Sequence, residues 1–299
     1  MIHNEKMNIH TLTPPGWSSY ELLDSGDKQK LERFGSYILS RFEPRALWPK
    51  SQSEEFWKRA DACHIHKGEK GSWQFRTKIS EPWIIPWGSL RFRLRPTSFK
   101  HIGIFPEMSV HWSWIIEKIR AAKRQINVLN LFAYTGGCTL AASLAGAAVT
   151  HLDASKEMVT WAHENAKLSG LSDRPVRWIV DDATTFVKRE IKRNHSYDGI
   201  IIDPPKFGRS ENGKLWKIED DLLPLLQLCC RLLSKQPLFI ILNTYTVAFS
   251  SVTLANLLIK LMKDADGVVE NGEILIPQKA SQVYLPTSIF ARWSAAATY

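Results

Sequence analysis

Four short stretches join residues able to do chemistry to residues that end a strand or open a helix. In Leu131-Phe132-Ala133-Tyr134-Thr135-Gly136-Gly137-Cys138-Thr139 an apolar run gives way to two adjacent glycines. Their missing Cβ atoms allow a ligand close to the backbone, and the helix start beyond them offers free N–H groups. Asp153 follows Gly136 by seventeen residues and precedes Ala154 and Ser155. A carboxylate so placed suits both hydroxyls of a ribose, although a helix cap at Asp153 or Ser155 explains the same residues. Asp181 and Asp182 end another apolar run just before Ala183. One of them is placed to accept from an adenine amino group, with capping again the alternative. The fourth stretch is Ile200-Ile201-Ile202-Asp203-Pro204-Pro205-Lys206-Phe207. Two prolines after an aspartate neither continue a strand nor start a helix smoothly, so they make a stiff turn that can wall a pocket for an amino nitrogen or a base.

All four lie at the ends of apolar runs, and the pattern between those runs says what holds them. Strands are expected at 126–132, 148–152, 176–180, 197–202 and 238–243, alternating with helices at 139–147, 156–169, 183–192 and 219–233. Runs such as Gly199-Ile200-Ile201-Ile202 are apolar on both faces and need helices above and below, which is a doubly wound, mainly parallel α/β sheet. Glu273–Ile276 and Gln282–Trp293 add two strands as a closing hairpin, for seven in all. A helix over 111–122 precedes the series, since Trp112, Ile115, Ile116 and Ile119 share one helical face. Upstream the chain is broken by proline, glycine and tryptophan. Ser72–Lys78 and Ser89–Arg95 alternate like half-buried strands, and a helix is expected over 28–40. The division expected is a small, mostly β N-terminal domain at 1–100 and a larger α/β domain at 101–299.

Composition narrows the class. Hydrophobic residues make up 44% and charged residues 23%, as in ordinary globular proteins. No run of about 18 apolar residues occurs and Met1–Pro15 has no signal-like core, so a cytoplasmic protein without membrane contact is expected. Cys63, Cys138, Cys229 and Cys230 are too scattered for a disulfide framework or a metal site. The net charge of +9 permits a polyanionic partner. Basic residues at 67–78 and 91–100 interleave with Trp73, Phe75, Phe92 and Phe99, a mixture that suits nucleic acid and also an unpartnered basic β-surface.

Taken in order, NLFAYTGG, LDAS, DDA and IIDPPKF resemble the ribosomal-RNA large-subunit methyltransferases of the class I S-adenosylmethionine fold, which is Rossmann-like. The nearest resemblance is to the group holding the cytosine-C5 and guanine-N7 enzymes of 23S rRNA. Upstream, YELLDSGDKQKLERFGSYILSRFEPRALW and SFKHIGIFPEMSVHWSWI resemble a bacterial branch of that family. The resemblance implies S-adenosyl-L-methionine as cofactor, with Ala133, Tyr134, Thr135, Gly136 and Gly137 against its amino-acid part. It further implies Asp153 at the ribose with Ala154 and Ser155 beside it, and Asp182 or Asp181 at the adenine beside Ala183. Asp203 and Pro204 would face the sulfonium and the target. Phe105-Pro106-Glu107-Met108 would lie under the cofactor as a lid, Met108 standing where that branch more often has glutamine.

A sulfonium methyl is already activated, so such an enzyme has to hold a nucleophile in line and accept its proton, without a metal. Cytosine C5 would need a cysteine adding to the ring, which the related enzymes carry just after the fifth strand. Leu242-Asn243-Thr244-Tyr245-Thr246 holds none. Direct transfer to a base nitrogen of RNA, ribosomal RNA first, is expected, with Asp203, Pro204 and Lys206 at the target. Lys206 would neutralise a phosphate, or is a solvated loop lysine. Phe207 or Tyr245 would stack on the target, or simply pack. Residues 208–217 are expected to be a flexible basic loop over the site. A methyltransferase for a protein side chain or small molecule shares every cofactor motif, and a non-catalytic RNA-binding protein could keep the fold.

Overall fold

The computed structural model describes residues 8–67, 70–97, 100–209, 215–245, 247–279 and 281–296. After a first strand β1 (Ile9–Leu12), the chain forms an antiparallel-rich sheet of β2 (Tyr20–Gly26), β3 (Gln29–Phe34), β4 (Tyr37–Phe42), β5 (Ala62–Lys67) and β6 (Lys70–Phe75), with a one-turn helix α1 (Glu54–Trp57) between β4 and β5. A separate hairpin, β7 (Trp83–Trp87) and β8 (Leu90–Leu94), follows. The helix expected over 28–40 is thus a hairpin. Leu31, Phe34 and Ile38 have helix-like spacing, but Gly35 takes φ +63° and reverses the chain, pairing Phe34 with Tyr37.

A 3₁₀ turn at Pro106–Met108 leads into α2 (Ser109–Ala121). The alternating series follows: β9 (Asn127–Leu131), α3 (Gly137–Leu144), β10 (Ala148–Asp153), α4 (Lys156–Leu168), β11 (Val176–Val180), α5 (Ala183–Lys192) and β12 (Gly199–Ile202). Then come a small hairpin of β13 (Phe207–Arg209) and β14 (Leu215–Lys217), α6 (Ile218–Cys230), β15 (Phe239–Thr244), α7 (Ser251–Leu261), β16 (Gly267–Pro277) and β17 (Tyr284–Ala295). The main sheet runs β1-β16-β17-β15-β12-β9-β10-β11. Only β17 is antiparallel to its neighbours. The sheet is the expected doubly wound, mainly parallel one, with an eighth strand: β1 joins the edge beside β16. Three of its four residues are exposed, so no alternation marks it in the sequence.

One face of this sheet packs with the N-terminal strands in a continuous core that includes Phe34, Phe92, Trp112, Val128, Leu140 and Ile201. The other face is covered by α5, α6 and α7 through Phe186, Leu225 and Leu258. Strand order reverses at β9, which has β12 on one side and β10 on the other, and a crevice opens beyond the carboxyl ends of these strands. Among the described residues, no helix is long and apolar enough to cross a membrane.

Candidate active site

The turn after β9 holds two aromatic residues in the left-handed region, Phe132 at φ +55° and Tyr134 at φ +50°. Each such residue costs roughly 1–3 kcal/mol and persists only where its surroundings fix it. Here Ala133 N–H donates to the Leu152 carbonyl at 2.9 Å, and Tyr134 N–H donates to Asp153 Oδ2 at 2.9 Å. Thr135 Oγ1 donates to the Gly103 carbonyl at 2.6 Å, while Asn165 Nδ2 donates to the Thr135 carbonyl at 3.0 Å. Each of the two glycines also meets a demand of the fold itself. Gly136 turns the chain at φ +92°, and a Cβ on Gly137 would overlap the Trp112 ring rather than a ligand's space.

Asp153 ends β10 with Oδ2 on Tyr134 N–H and Oδ1 on Ser155 N–H, both at 2.9 Å. Burial pushes its carboxyl above the usual range, against the pull of these backbone donors. The cap of α4 is Ser155, which accepts from Met158 N–H at 3.4 Å. At the next strand end Asp182 caps α5, accepting from Thr185 N–H at 2.9 Å and Thr185 Oγ1 at 2.8 Å. Asp181 pairs with Arg189 and accepts from Asp182 N–H at 2.8 Å. A carboxylate has lone pairs for more than one donor, so the helix cap at Asp182 leaves room for a ligand as well.

A cavity of about 380 Å³ lies beyond these strand ends, of a size that holds a nucleoside-like ligand. Asp153, Ala154, Ser155, Asp181, Asp182 and Ala183 line it. A smaller recess of about 40 Å³ adjoins it against Ala133, Thr135 and Gly137. Tyr134 and Asp203 line both. Pro106, Glu107, Gly136, Pro204 and Lys206 line neither; of the lid segment, Phe105 and Met108 reach the cavities. His101, Phe132 and Trp216 join the wall with no residue type or spacing that singles them out. Burial, with Arg41 and Lys100 nearby, lowers His101 to about 3, so this imidazole is neutral. Residues 210–214 of the expected loop lie outside the described residues, and its two flanks are paired strands rather than loop. Gly208 faces Trp216 across that hairpin and both turn to the cavity, while Phe207 is 59% exposed with Lys206 Nζ 5.2 Å from its ring centre.

Asp203 is a strongly perturbed acid of the site. Burial pushes it up to about 7, Glu107 adds to the rise, and a hydrogen bond from Asn243 Nδ2 at 2.7 Å opposes it. Thr244 Oγ1 donates to the Pro204 carbonyl at 3.4 Å, tying the diproline turn to β15. Tyr134, Phe105 and Tyr245 form an aromatic wall, with ring centres 5.4 and 6.0 Å apart in that order. Burial raises the Tyr245 hydroxyl to about 12 and keeps it protonated. Cys138 lines the recess, but burial and Asp203 raise its thiol far above neutrality, which disfavours the thiolate a nucleophile needs.

A family model for S-adenosylmethionine-dependent methyltransferases matches residues 51–247. The chain belongs to this family. The methyltransferase is 39% identical to the SAM dependent methyltransferase from Agrobacterium tumefaciens, with a TM-score of 0.92 over 96% of this chain and 94% of that one. SMU.776, solved complexed with SAH, shares the fold at a TM-score of 0.73 and 18% identity, over 92% of this chain and 75% of that one. The ribosomal RNA large subunit methyltransferase K/L of Shewanella frigidimarina is 34% identical over 146 residues, 48% of this chain and 20% of that protein. The methyltransferase spans about a fifth of the length of such curated relatives. S-adenosylmethionine is its methyl donor, and acids at successive strand ends with aromatic walls fit the ribose and adenine of that cofactor.

Proposed function

We propose that this methyltransferase acts on RNA, ribosomal RNA first, and methylates a base nitrogen with Asp203 as the residue facing the acceptor. The observation that carries this reading is Asp203 itself: a half-buried carboxylate poised near neutrality, at the stiff Pro204-Pro205 turn, beside aromatic side chains able to hold a flat base. The end of β15 and the residue after it offer Asn243, Thr244 and Tyr245 in place of a cysteine nucleophile, which favours nitrogen over cytosine C5. The name of the Shewanella relative and the net charge of +9 favour RNA.

In this reading Asp153 accepts from the cofactor's ribose, Asp182 or Asp181 accepts from its adenine, and Ala133–Gly137 hold its amino-acid part. Pro106 and Glu107 support Phe105 and Met108 from behind. When bound, S-adenosylmethionine supplies an activated methyl that passes to the nitrogen lone pair, the C–S electrons staying on sulfur. The chain's own residues orient the nitrogen and take its proton on Asp203, while the Pro204 backbone aligns the base and Lys206 neutralises a phosphate. Residues 1–100 would form an RNA-contacting domain and 101–299 the catalytic one, in the cytoplasm.

The test is transfer of labelled methyl to total RNA from a strain lacking the gene, followed by nucleoside analysis. Label in one methylated base supports the reading; label confined to protein or metabolites overturns it. Asp203→Ala should slow transfer by roughly 100-fold or more, the usual contribution of a positioned base, and leave S-adenosylhomocysteine affinity within about threefold.

A further inference from the structure

Behind Asp203 a chain of three side chains runs away from the cavity. Asn243, 2% exposed on β15, donates from Nδ2 to Asp203 Oδ1 at 2.7 Å. Its Oδ1 lies 3.2 Å from Nε2 of His111, which is 0% exposed in the first turn of α2. His111 Nδ1 has no hydrogen-bond partner, and the ring meets Phe290 edge-on with centres 5.6 Å apart.

The donors and acceptors fix one another. An ionised carboxylate only accepts, so Asn243 gives Asp203 its NH₂ and turns its carbonyl to His111. That carbonyl needs an imidazole with its proton on Nε2, which leaves only a lone pair at the empty Nδ1 side. A proton on Asp203 Oδ1 would demand the flipped amide. The flipped NH₂ would then drive the imidazole proton to Nδ1, a buried donor with no acceptor, which is rarer and costlier than an unfilled lone pair. We propose that His111, acting through Asn243, is a positioning residue for methyl transfer: it fixes the amide so that Asp203 Oδ1 can only accept, leaving the other oxygen to take the proton of the acceptor nitrogen.

This rests on the proposed role of Asp203. The groups around the chain bear on it in two ways. Burial and the charge of Arg292 on β17 lower His111 to about 3, so it stays neutral and carries a single proton. Asp203 also faces Glu107 from the 3₁₀ turn, the Cys138 thiol of α3 and the Tyr245 hydroxyl. None of these donates to Oδ1, and Glu107 pushes toward protonation, so the amide opposes a real tendency.

Nitrogen-15 spectra of the imidazoles in the unliganded full-length protein read the tautomer directly. His111 should carry its proton on Nε2 from pH 6 to 9; a proton on Nδ1 overturns the proposal. The pH dependence of kcat reads the consequence, on whichever acceptor proves to take the methyl. Wild type should rise with pH through about 7. His111→Phe should move that limb up by about one unit and lower kcat at pH 7 by about fivefold, with S-adenosylhomocysteine affinity unchanged. His111→Gln, which restores a donor toward Asn243, should return the limb toward wild type. An unmoved limb in folded His111→Phe sinks the proposal. Failure of RNA as acceptor leaves the tautomer result standing, so the two readings fail separately.

Discussion

Asp203 carries a conflict between stability and chemistry. Its carboxyl titrates near 7 in the folded chain, against a usual value of 3.8. The folded state therefore holds the proton more tightly than the unfolded one. Stability is undiminished below about pH 4, falls as pH rises between about 4 and 7, and stays reduced above. Asp203→Asn removes this loss together with activity. At pH 8 the variant should be more stable than wild type by on the order of 2–4 kcal/mol, and at pH 4 the two should coincide, as read from urea unfolding at both pH values. A difference that does not change with pH would show that folding leaves this carboxyl unperturbed. Residues of this kind are legible in the sequence when their setting is local: Asp153, Asp181, Asp182 and Asp203 each end an apolar run. Their partners are not legible. Asn243 is 40 positions from Asp203 and His111 is 132 from Asn243, so only the sheet order brings them together.

Among the elements, those that carry their own period were readable. β11 and α5 fall where alternation and helical spacing put them, because each packs one side against a sheet or helix of the same chain region. Where two or three residues of a turn decide the outcome, the spacing misleads, as at Gly35 between β3 and β4 and at the short β13–β14 hairpin. The acids at strand ends belong to elements as well as to a ligand, and α5 allows the roles to be separated. Asp182→Ala removes both the cap and the carboxylate, and should lower stability by about 1 kcal/mol as well as cofactor affinity. Asp182→Ser keeps an effective cap on Thr185 N–H. It should melt within about a degree of wild type and still bind S-adenosylhomocysteine several-fold more weakly by calorimetry. Equal affinity in Asp182→Ser and wild type would assign Asp182 to the helix alone and move the adenine contact to Asp181.

At the level of the whole molecule, the N-terminal strands and the methyltransferase sheet share one core, Phe34 and Phe92 packing in the same cluster as Trp112 and Leu140. A charged network reinforces the seam. Glu43, 1% exposed just after β4, accepts from Arg45 Nε at 2.7 Å and lies 3.6 Å from Lys30. Arg45 in turn donates to the Thr287 carbonyl on β17. These cations overcome burial and hold the Glu43 carboxyl down at about 2. A depressed acid stabilises the fold above its unfolded pKa of about 4.5, and that contribution is lost as pH falls through about 2. Glu43→Gln keeps the shape and removes the charge, leaving the buried Lys30 with Glu32 alone and the partly exposed Arg45 without this carboxylate. It should lower stability at pH 7 by roughly 2–3 kcal/mol, the difference shrinking as pH drops from about 4.5 to 2. Because the core is continuous, the N-terminal strands and the main sheet should unfold in a single transition in both proteins, by near-ultraviolet circular dichroism of the tryptophans and by calorimetry alike. A separate early transition in Glu43→Gln would mean that Arg45 and Glu43, rather than the shared apolar core, hold the two sheets together.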